Sequence, residues 1–385
     1  MEELNIRELV SLRKEIHKHP ELSGEEGGTA ERIMNYLRSY PPDELIHGIG
    51  GNSIAAVYKG REEGPGILLR CDLDALPIYE VNEMDYRSVY DGKGHKCGHD
   101  GHMAIISGVA QLLSRKRPER GSVTLLYQAE EETGQGAAKV LKDPKFKKLH
   151  VDHAFALHNL PGYPHGEIVL RKQNFASASK GMIIKLKGKS SHAGEPQNGL
   201  NPAPAVAEII TAFNRLSQNE EVFRDFSLIT LIHILVGEVA FGTNPGDAKV
   251  MATLRTYRND DMKIMTRETR QIALGIAEQH GLKYDFSYVE EFPATINNGE
   301  MVKMLEDIAK ENKQAFTYRE QPFTWSEDFG HFTNHYTGAL FGLGSGKDQP
   351  QLHNPDYDFP DNIIEDGVKM FYGIYNKRLN HSAKK

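Results

Sequence analysis

The stretch GMIIKLKGK, Gly181 to Lys189, alternates apolar and polar side chains with period two, as a strand does when only one of its faces is covered. The chain before it reads differently. SIAAVY (Ser53–Tyr58), GILLR (Gly66–Arg70), SVTLLY (Ser122–Tyr127) and HAFALH (His153–His158) are short, nearly unbroken apolar runs, as a buried sheet supplies. Ile33, Met34 and Leu37 recur at helical spacing, and so do Ile105, Ile106, Val109, Leu112 and Leu113. After Gly181 the order changes. Val206, Ile209, Ile210, Phe213 and Leu216 form a helix face, FSLITLIHIL and KVMATLRTY are strands, Ile264 to Ile276 is helical, and KYDFSYV is a last strand. This β-α-β-β-α-β order is that of a ferredoxin-like split unit. Beyond Pro293 the first pattern returns, with Val302, Leu305, Ile308 and Ala309 on a helix and GALFGLG on a strand. The expected fold is an α/β domain (1–177 and 292–385) interrupted by an α+β insertion (178–291).

A chain of 385 residues suits about two domains of ~150 residues or more. Its net charge of -7 argues against nucleic acid or an anionic membrane as partner, since both need a concentrated basic surface. No apolar run approaches the ~18–20 residues that span a bilayer. The opening MEELNIRELVSLRKEIHKHPEL is a charged amphipathic helix with Leu9, Leu12 and Ile16 on one side, without the apolar core of a signal peptide. Two cysteines, Cys71 and Cys97, make no disulfide scaffold, so the expected compartment is the cytoplasm.

Chemistry concentrates in GHKCGHDGHMA, Gly94 to Ala104, a loop and first turn that lead into the Ile105–Leu113 helix. Cys97 and His99 can reach one metal ion, Cys97 can be a nucleophile, or the loop can be merely polar. Other ligand types follow other strands. Glu130, Glu131 and Glu132 follow SVTLLY, His158 ends HAFALH, Asp72 and Asp74 follow GILLR, and His353 lies in a C-terminal loop. Strand ends are where α/β sheets present their sites.

Taken in order, RCDLDALP, KCGHDGHMA, QAEEETGQGA, ALHNLPG, SSHAGEP, WSEDFGHF and LHNPDYDF resemble the M20 metallopeptidase and amidohydrolase family. The likeness is to the amidohydrolase branch, which holds hippurate hydrolases, indole-acetyl-amino-acid hydrolases and N-acetyldiaminopimelate deacetylase. It implies a two-metal catalytic domain with an inserted lid or dimerisation domain. The implied cofactors are two divalent ions among zinc, manganese, cobalt and nickel. By position, Cys97, His99, Glu132, His158 and His353 match the metal ligands, Glu131 the general base and Asp72 a catalytic aspartate. His192 matches the lid histidine that polarises the scissile carbonyl, and Asn244 and Arg255 match lid positions that hold the substrate carboxylate. Asp74 matches a structural companion, and His102, with no ligand role, is expected to pack at the helix start.

Three departures stand out. Ala129 and a third glutamate alter the usual Gln-Pro-Ala-Glu-Glu-Gly, and counting from Gln128 and from Gly136-Ala137 favours Glu131/Glu132 over Glu130/Glu131. GEVAFGTNPGDA lacks the usual Asn-Val-Ile-Pro tail, and Ser190-Ser191 replaces Gly-Gly before the lid histidine. The expected activity is metal-dependent hydrolysis of N-acyl amino acids or similar small amides, with homodimerisation through the insertion as a possibility. The alternatives are a dipeptidase or aminopeptidase of the same family, a cysteine hydrolase using Cys97, and a non-catalytic metal-binding protein.

Overall fold

The chain up to Phe175 builds one unit together with Thr295–Gln321 and the part from Glu327 onward. The structure is a computed structural model that describes residues 4–223 and 225–380. This unit is organised on an eight-stranded sheet in the order Glu44–Ile49, Ser53–Lys59, Arg120–Gln128, Glu62–Asp72, His153–Pro161, Thr337–Gly346, Ile168–Leu170, Phe316–Tyr318. The four strands from Arg120–Gln128 to Thr337–Gly346 run parallel, so their C-terminal ends lie along one edge. Asp72 and Gln128 end two of them and His158 lies near the end of a third. The short apolar runs of the sequence are their buried middles: Ile67, Leu68, Leu69, Val123, Leu125, Phe155 and Ala156 are all inaccessible to water. Each large aliphatic side chain buried this way contributes about 1.5–3 kcal/mol.

The Ile105–Leu113 periodicity finds one apolar face, whereas the helix His99–Arg115 is buried on every side from His99 to Leu113. It packs against the Glu62–Asp72 strand and also against the helices Ile6–Lys18 and Ile364–Tyr375. Close approach requires glycine here. A Cβ on Gly101 would lie 2.3 Å from the Phe359 ring, and one on Gly108 would lie 2.6 Å from Val368.

The second unit comprises Ala176–Ala294 and Pro322–Ser326. Its antiparallel sheet has the order Ser227–Val236, Asp247–Thr256, Ala178–Lys187, Lys283–Phe292. The first and third strands in chain order are central, which is the ferredoxin-like arrangement. Helices Ala203–Ser217 and Asn259–Gln279 pack on each other and on the sheet. Ala248, Val250, Ala252 and Leu254 alternate into this core with Ile209, Phe213, Met265 and Ala273.

Pro322–Ser326 is a difference from the sequence expectation, which keeps all of 292–385 in the α/β domain. Ser177 Oγ donates to the Phe323 carbonyl at 2.6 Å, Ser177 N donates to that of Trp325 at 3.0 Å, and the Phe323 and Trp325 rings stack. Five residues are too few to leave a signal of where they pack. Among the described residues, no helix is long and apolar enough to cross a membrane.

Candidate metal centre

Gly98 has φ +93, a left-handed conformation that glycine adopts without steric cost, and a Cβ there would lie 2.6 Å from the Asn159 side chain. This turn lets Cys97 and His99 face the same space from the N-terminus of a buried helix. His99 Nδ1 donates to the Asp74 carbonyl at 2.8 Å, and His158 Nδ1 donates to that of Asn159 at 2.9 Å. Both rings are thereby fixed in the tautomer that turns an Nε2 lone pair inward, as outer partners do for metal-binding histidines.

The five side chains matched to ligands fall into two triples that share Cys97: Cys97, His99 and His158, and Cys97, Glu132 and His353. His158 Nε2 is 3.5 Å from Cys97 Sγ, His99 Nε2 is 3.8 Å from Glu132 Oε1, and His353 Nε2 is 3.6 Å from the same oxygen. The Cys97–His158 and Glu132–His353 spacings, each within one triple, are what two ligands have across one ion when each bond is about 2.0–2.3 Å. His99 Nε2 and Glu132 Oε1 are buried without a hydrogen-bond partner, a costly arrangement unless something else satisfies them. Burial and then the facing Glu132, Glu131 and Asp72 hold the Cys97 thiol well above its ordinary range. Burial pushes Glu132 up to about 7, and burial with the charges of Glu327 and Glu132 pushes Glu131 well up. Acids crowded with a thiol and imidazoles of this set fit divalent cations.

Glu130 turns away. Its φ of +58 swings its carboxylate to Lys139, 2.5 Å off, while its N–H donates to Glu26 at 2.9 Å. Glu131 faces the cluster and accepts the Asp328 N–H at 3.2 Å through Oε1. Asp72 is used on both oxygens, by His102 Nδ1 at 2.7 Å and Arg70 Nη1 at 2.8 Å. Asp74 Oδ2 accepts Ser23 Oγ and the Glu132 N–H, so Asp74 steadies two of the ligands.

Sequence reading assigns no role to several residues that organise the site. His102 does more than pack, because it is clamped between Asp72 and Asn159 with both nitrogens engaged. Arg70, fully buried, pairs with Asp72, Glu327 and Asp328 at 2.8, 3.0 and 2.6 Å. The only advance signal was polar: an arginine in an otherwise apolar strand run, and adjacent acids in WSEDFGHF.

Within the inserted unit, His192 is exposed on the two-residue strand Ser191–His192, paired with Thr243–Asn244. The Gly194 N–H donates to its Nδ1 at 3.0 Å, which leaves the ring proton on Nε2. Asn244 spends its amide locally: Oδ1 accepts from Asn201 at 2.8 Å and Nδ2 donates to Ser191 Oγ at 3.1 Å. Arg255 Nη1 donates to the Thr324 carbonyl at 3.2 Å and to Ser326 Oγ at 3.0 Å. Among the described residues no carboxylate forms an ion pair with it, and burial lowers its pKa.

The profile of the peptidase family M20/M25/M40 matches residues 68–377. The chain belongs to this family. It is 30% identical over 368 residues to N-acetylcysteine deacetylase of Bacillus subtilis, covering 94% of both chains. It is 28% identical to hippurate hydrolase of Campylobacter jejuni, covering 97% of both. Among solved structures, the YXEP protein of Bacillus subtilis, described as a dinuclear metal-binding peptidase of the M20 family, superposes with a TM-score of 0.82 at 26% identity. That match covers 98% of this chain and 99% of the other. As a member of the M20 family with amidohydrolase relatives, the chain is a metal-dependent amide hydrolase.

Proposed function

We propose that this M20 enzyme hydrolyses N-acyl amino acids, with two divalent ions held by Cys97, His99, Glu132, His158 and His353. The observation that carries the reading is the double triple around Cys97 with Glu131 beside it. When bound, the ions would lower the pKa of a water from about 15.7 towards ~7 and polarise the substrate carbonyl. Glu131, steadied on Oε1 by the Asp328 N–H, keeps Oε2 to take the water's proton and deliver it to the leaving amine. Asp72, clamped by Arg70 and His102, stays ionised and fixes the charge around His99. His192, with its proton on Nε2, donates to the developing oxyanion. Arg255 receives the substrate's carboxylate, because a guanidinium without an acid partner can form two parallel charge-assisted bonds. Asn244 orients the strand that carries His192 through its bond to Ser191, and its contribution to substrate binding is through that placement.

A second chemistry must be weighed, because Cys97 Sγ and His158 Nε2 are only 3.5 Å apart. A thiolate–imidazolium pair requires a depressed thiol pKa and a raised imidazole pKa. Here burial and nearby acids push the thiol up, while burial and His102 push His158 well down. Metal ligation is favoured over nucleophilic attack.

The test is a matched substrate pair. The enzyme should cleave an N-acetyl or N-benzoyl amino acid and leave its carboxyl-amidated analogue nearly uncut, and a chelator should abolish both activities. Arg255→Lys should shrink the acid/amide preference, since hydrogen bonds to charged groups contribute roughly 1.5–3 kcal/mol each. Equal cleavage of the two analogues by the wild type would remove the carboxylate as the recognition handle.

We also propose that the enzyme acts as a cytoplasmic homodimer joined through the inserted unit. Ser227–Val236 is an edge strand with Leu228, Ile232, Ile234 and Leu235 exposed, and Val239 and Phe241 beyond it are fully exposed. An apolar edge of this kind pairs readily with a second copy of itself. Light scattering should give twice the chain mass for the wild type, and Ile232→Lys with Ile234→Asp should give the monomer. A wild-type monomer at micromolar concentration would refute the dimer.

A further inference from the structure

His353 holds an improbable position for a metal ligand. It is a non-glycine residue at φ +67, about half exposed, in a turn whose neighbours Asn354, Pro355 and Asp356 are also exposed. Left-handed backbone in such a residue costs free energy and persists only when its surroundings enforce it. Packing does not enforce it here.

The enforcing contacts converge on Lys96, a lysine with no exposure to water. Its carbonyl accepts the His353 N–H at 2.8 Å, and its Nζ donates to the Tyr357 carbonyl at 2.8 Å. One residue therefore grips both ends of the His353 turn. Its ammonium is neutralised by Glu80 at 2.6 Å. Glu80 is fixed in turn by His17 Nε2 at 2.9 Å and the Ser88 N–H at 2.8 Å, and His17 continues to Asp100 at 2.8 Å. The backbone beside Glu80 also supports the turn, through Val81 N to the Pro355 carbonyl and Asn82 Nδ2 to that of Asp356. Asn159 Nδ2 adds a bond to the Tyr357 hydroxyl at 2.5 Å.

We infer that Lys96 is a positioning residue for His353: its buried ammonium fastens the C-terminal ligand turn to the loop that carries Cys97. This rests on the proposal that His353 is a ligand. Lys96 touches no substrate and no ion; it sets the entropy that His353 loses on coordination. An outer partner of this kind typically changes metal affinity by about 10–100-fold.

The experiment is a double-mutant cycle read by Zn2+ affinity, using competition with a chromophoric chelator on the full-length protein. His353→Ala should weaken one of the two Zn2+ ions. Lys96→Met should weaken the same ion by about 10–100-fold, and the double variant should be no worse than His353→Ala alone. Non-additivity is the signature, since a general loss of structure would add its full effect in either background. Lys96→Met leaves Glu80 without its cation and is open to misfolding. The Lys96→Met/Glu80→Gln pair removes both charges, keeps an acceptor for His17, and should show the same coupling to His353. If Lys96→Met leaves both Zn2+ affinities unchanged, or adds its full factor to His353→Ala, the positioning role is wrong. If His353→Ala itself leaves both affinities intact, the ligand assignment falls, and the role of Lys96 falls with it.

Discussion

Replacing Glu131 by glutamine should lower kcat by about 10²–10⁴-fold while the protein keeps its full complement of metal. The substitution preserves shape. The glutamine would still offer an oxygen to the Asp328 N–H, so the side chain should remain in place. What disappears is a carboxylate that faces the cluster without belonging to either of the two triples that share Cys97. KM should change little, because binding is not the step that needs the carboxylate. A second readout comes from stability. Burial and the charges of Glu327 and Glu132 raise the Glu131 pKa, so the folded metal-free protein favours the protonated form. Its carboxylate therefore opposes folding once pH exceeds the unfolded value of about 4.3. Glutamine carries no such penalty, and the metal-free variant should melt above metal-free wild type at neutral pH. Measured kcat and metal content decide the role, and a variant within about tenfold of wild type would exclude Glu131 as the base.

The same cluster shows which features can be read in advance from one sequence. The alternation beginning at Gly181 reports the inserted sheet because half of each strand there is covered, and the covered half repeats with the pleat. His158 stands out because a histidine at the end of a buried strand has few other uses, and Cys97 and His99 because a thiol and an imidazole two positions apart open a buried helix. The three consecutive glutamates are not resolved by spacing alone. What separates them is the left-handed turn at Glu130, a backbone property with no signal in the order of the letters. Arg70 is hidden for another reason. Its partner Asp328 lies 258 positions away, and until the sheet is built nothing distinguishes it from a lysine or arginine at a strand end. Lys96 has the same character, since a lysine in a polar loop is expected in solvent and only the fold encloses it. Asn244 is matched to substrate binding by its place in the sequence, and the fold adds what the sequence does not show, that its amide bonds Asn201 and Ser191.

Cys97→Ser is the change with the widest reach, because Cys97 is common to both ligand triples. A hydroxyl is close to a thiol in size but is a much poorer ligand for ions of the zinc type. Both ions should be weakened together, by more than the ~100-fold that the loss of an outer partner costs. Elemental analysis after dialysis should find less than one ion per chain, and activity should fall in step. The direction of rescue then separates the two chemistries open to a cysteine beside a histidine. If Cys97 is a ligand, excess metal should refill the weakened sites and restore part of the activity, while chelated wild type should be as inactive as the variant. If Cys97 were the nucleophile, added metal would restore nothing and chelated wild type would still turn over. The burial and surrounding acids that push the Cys97 thiol up make the first outcome the expected one, since a thiol held there ionises only when a cation is beside it.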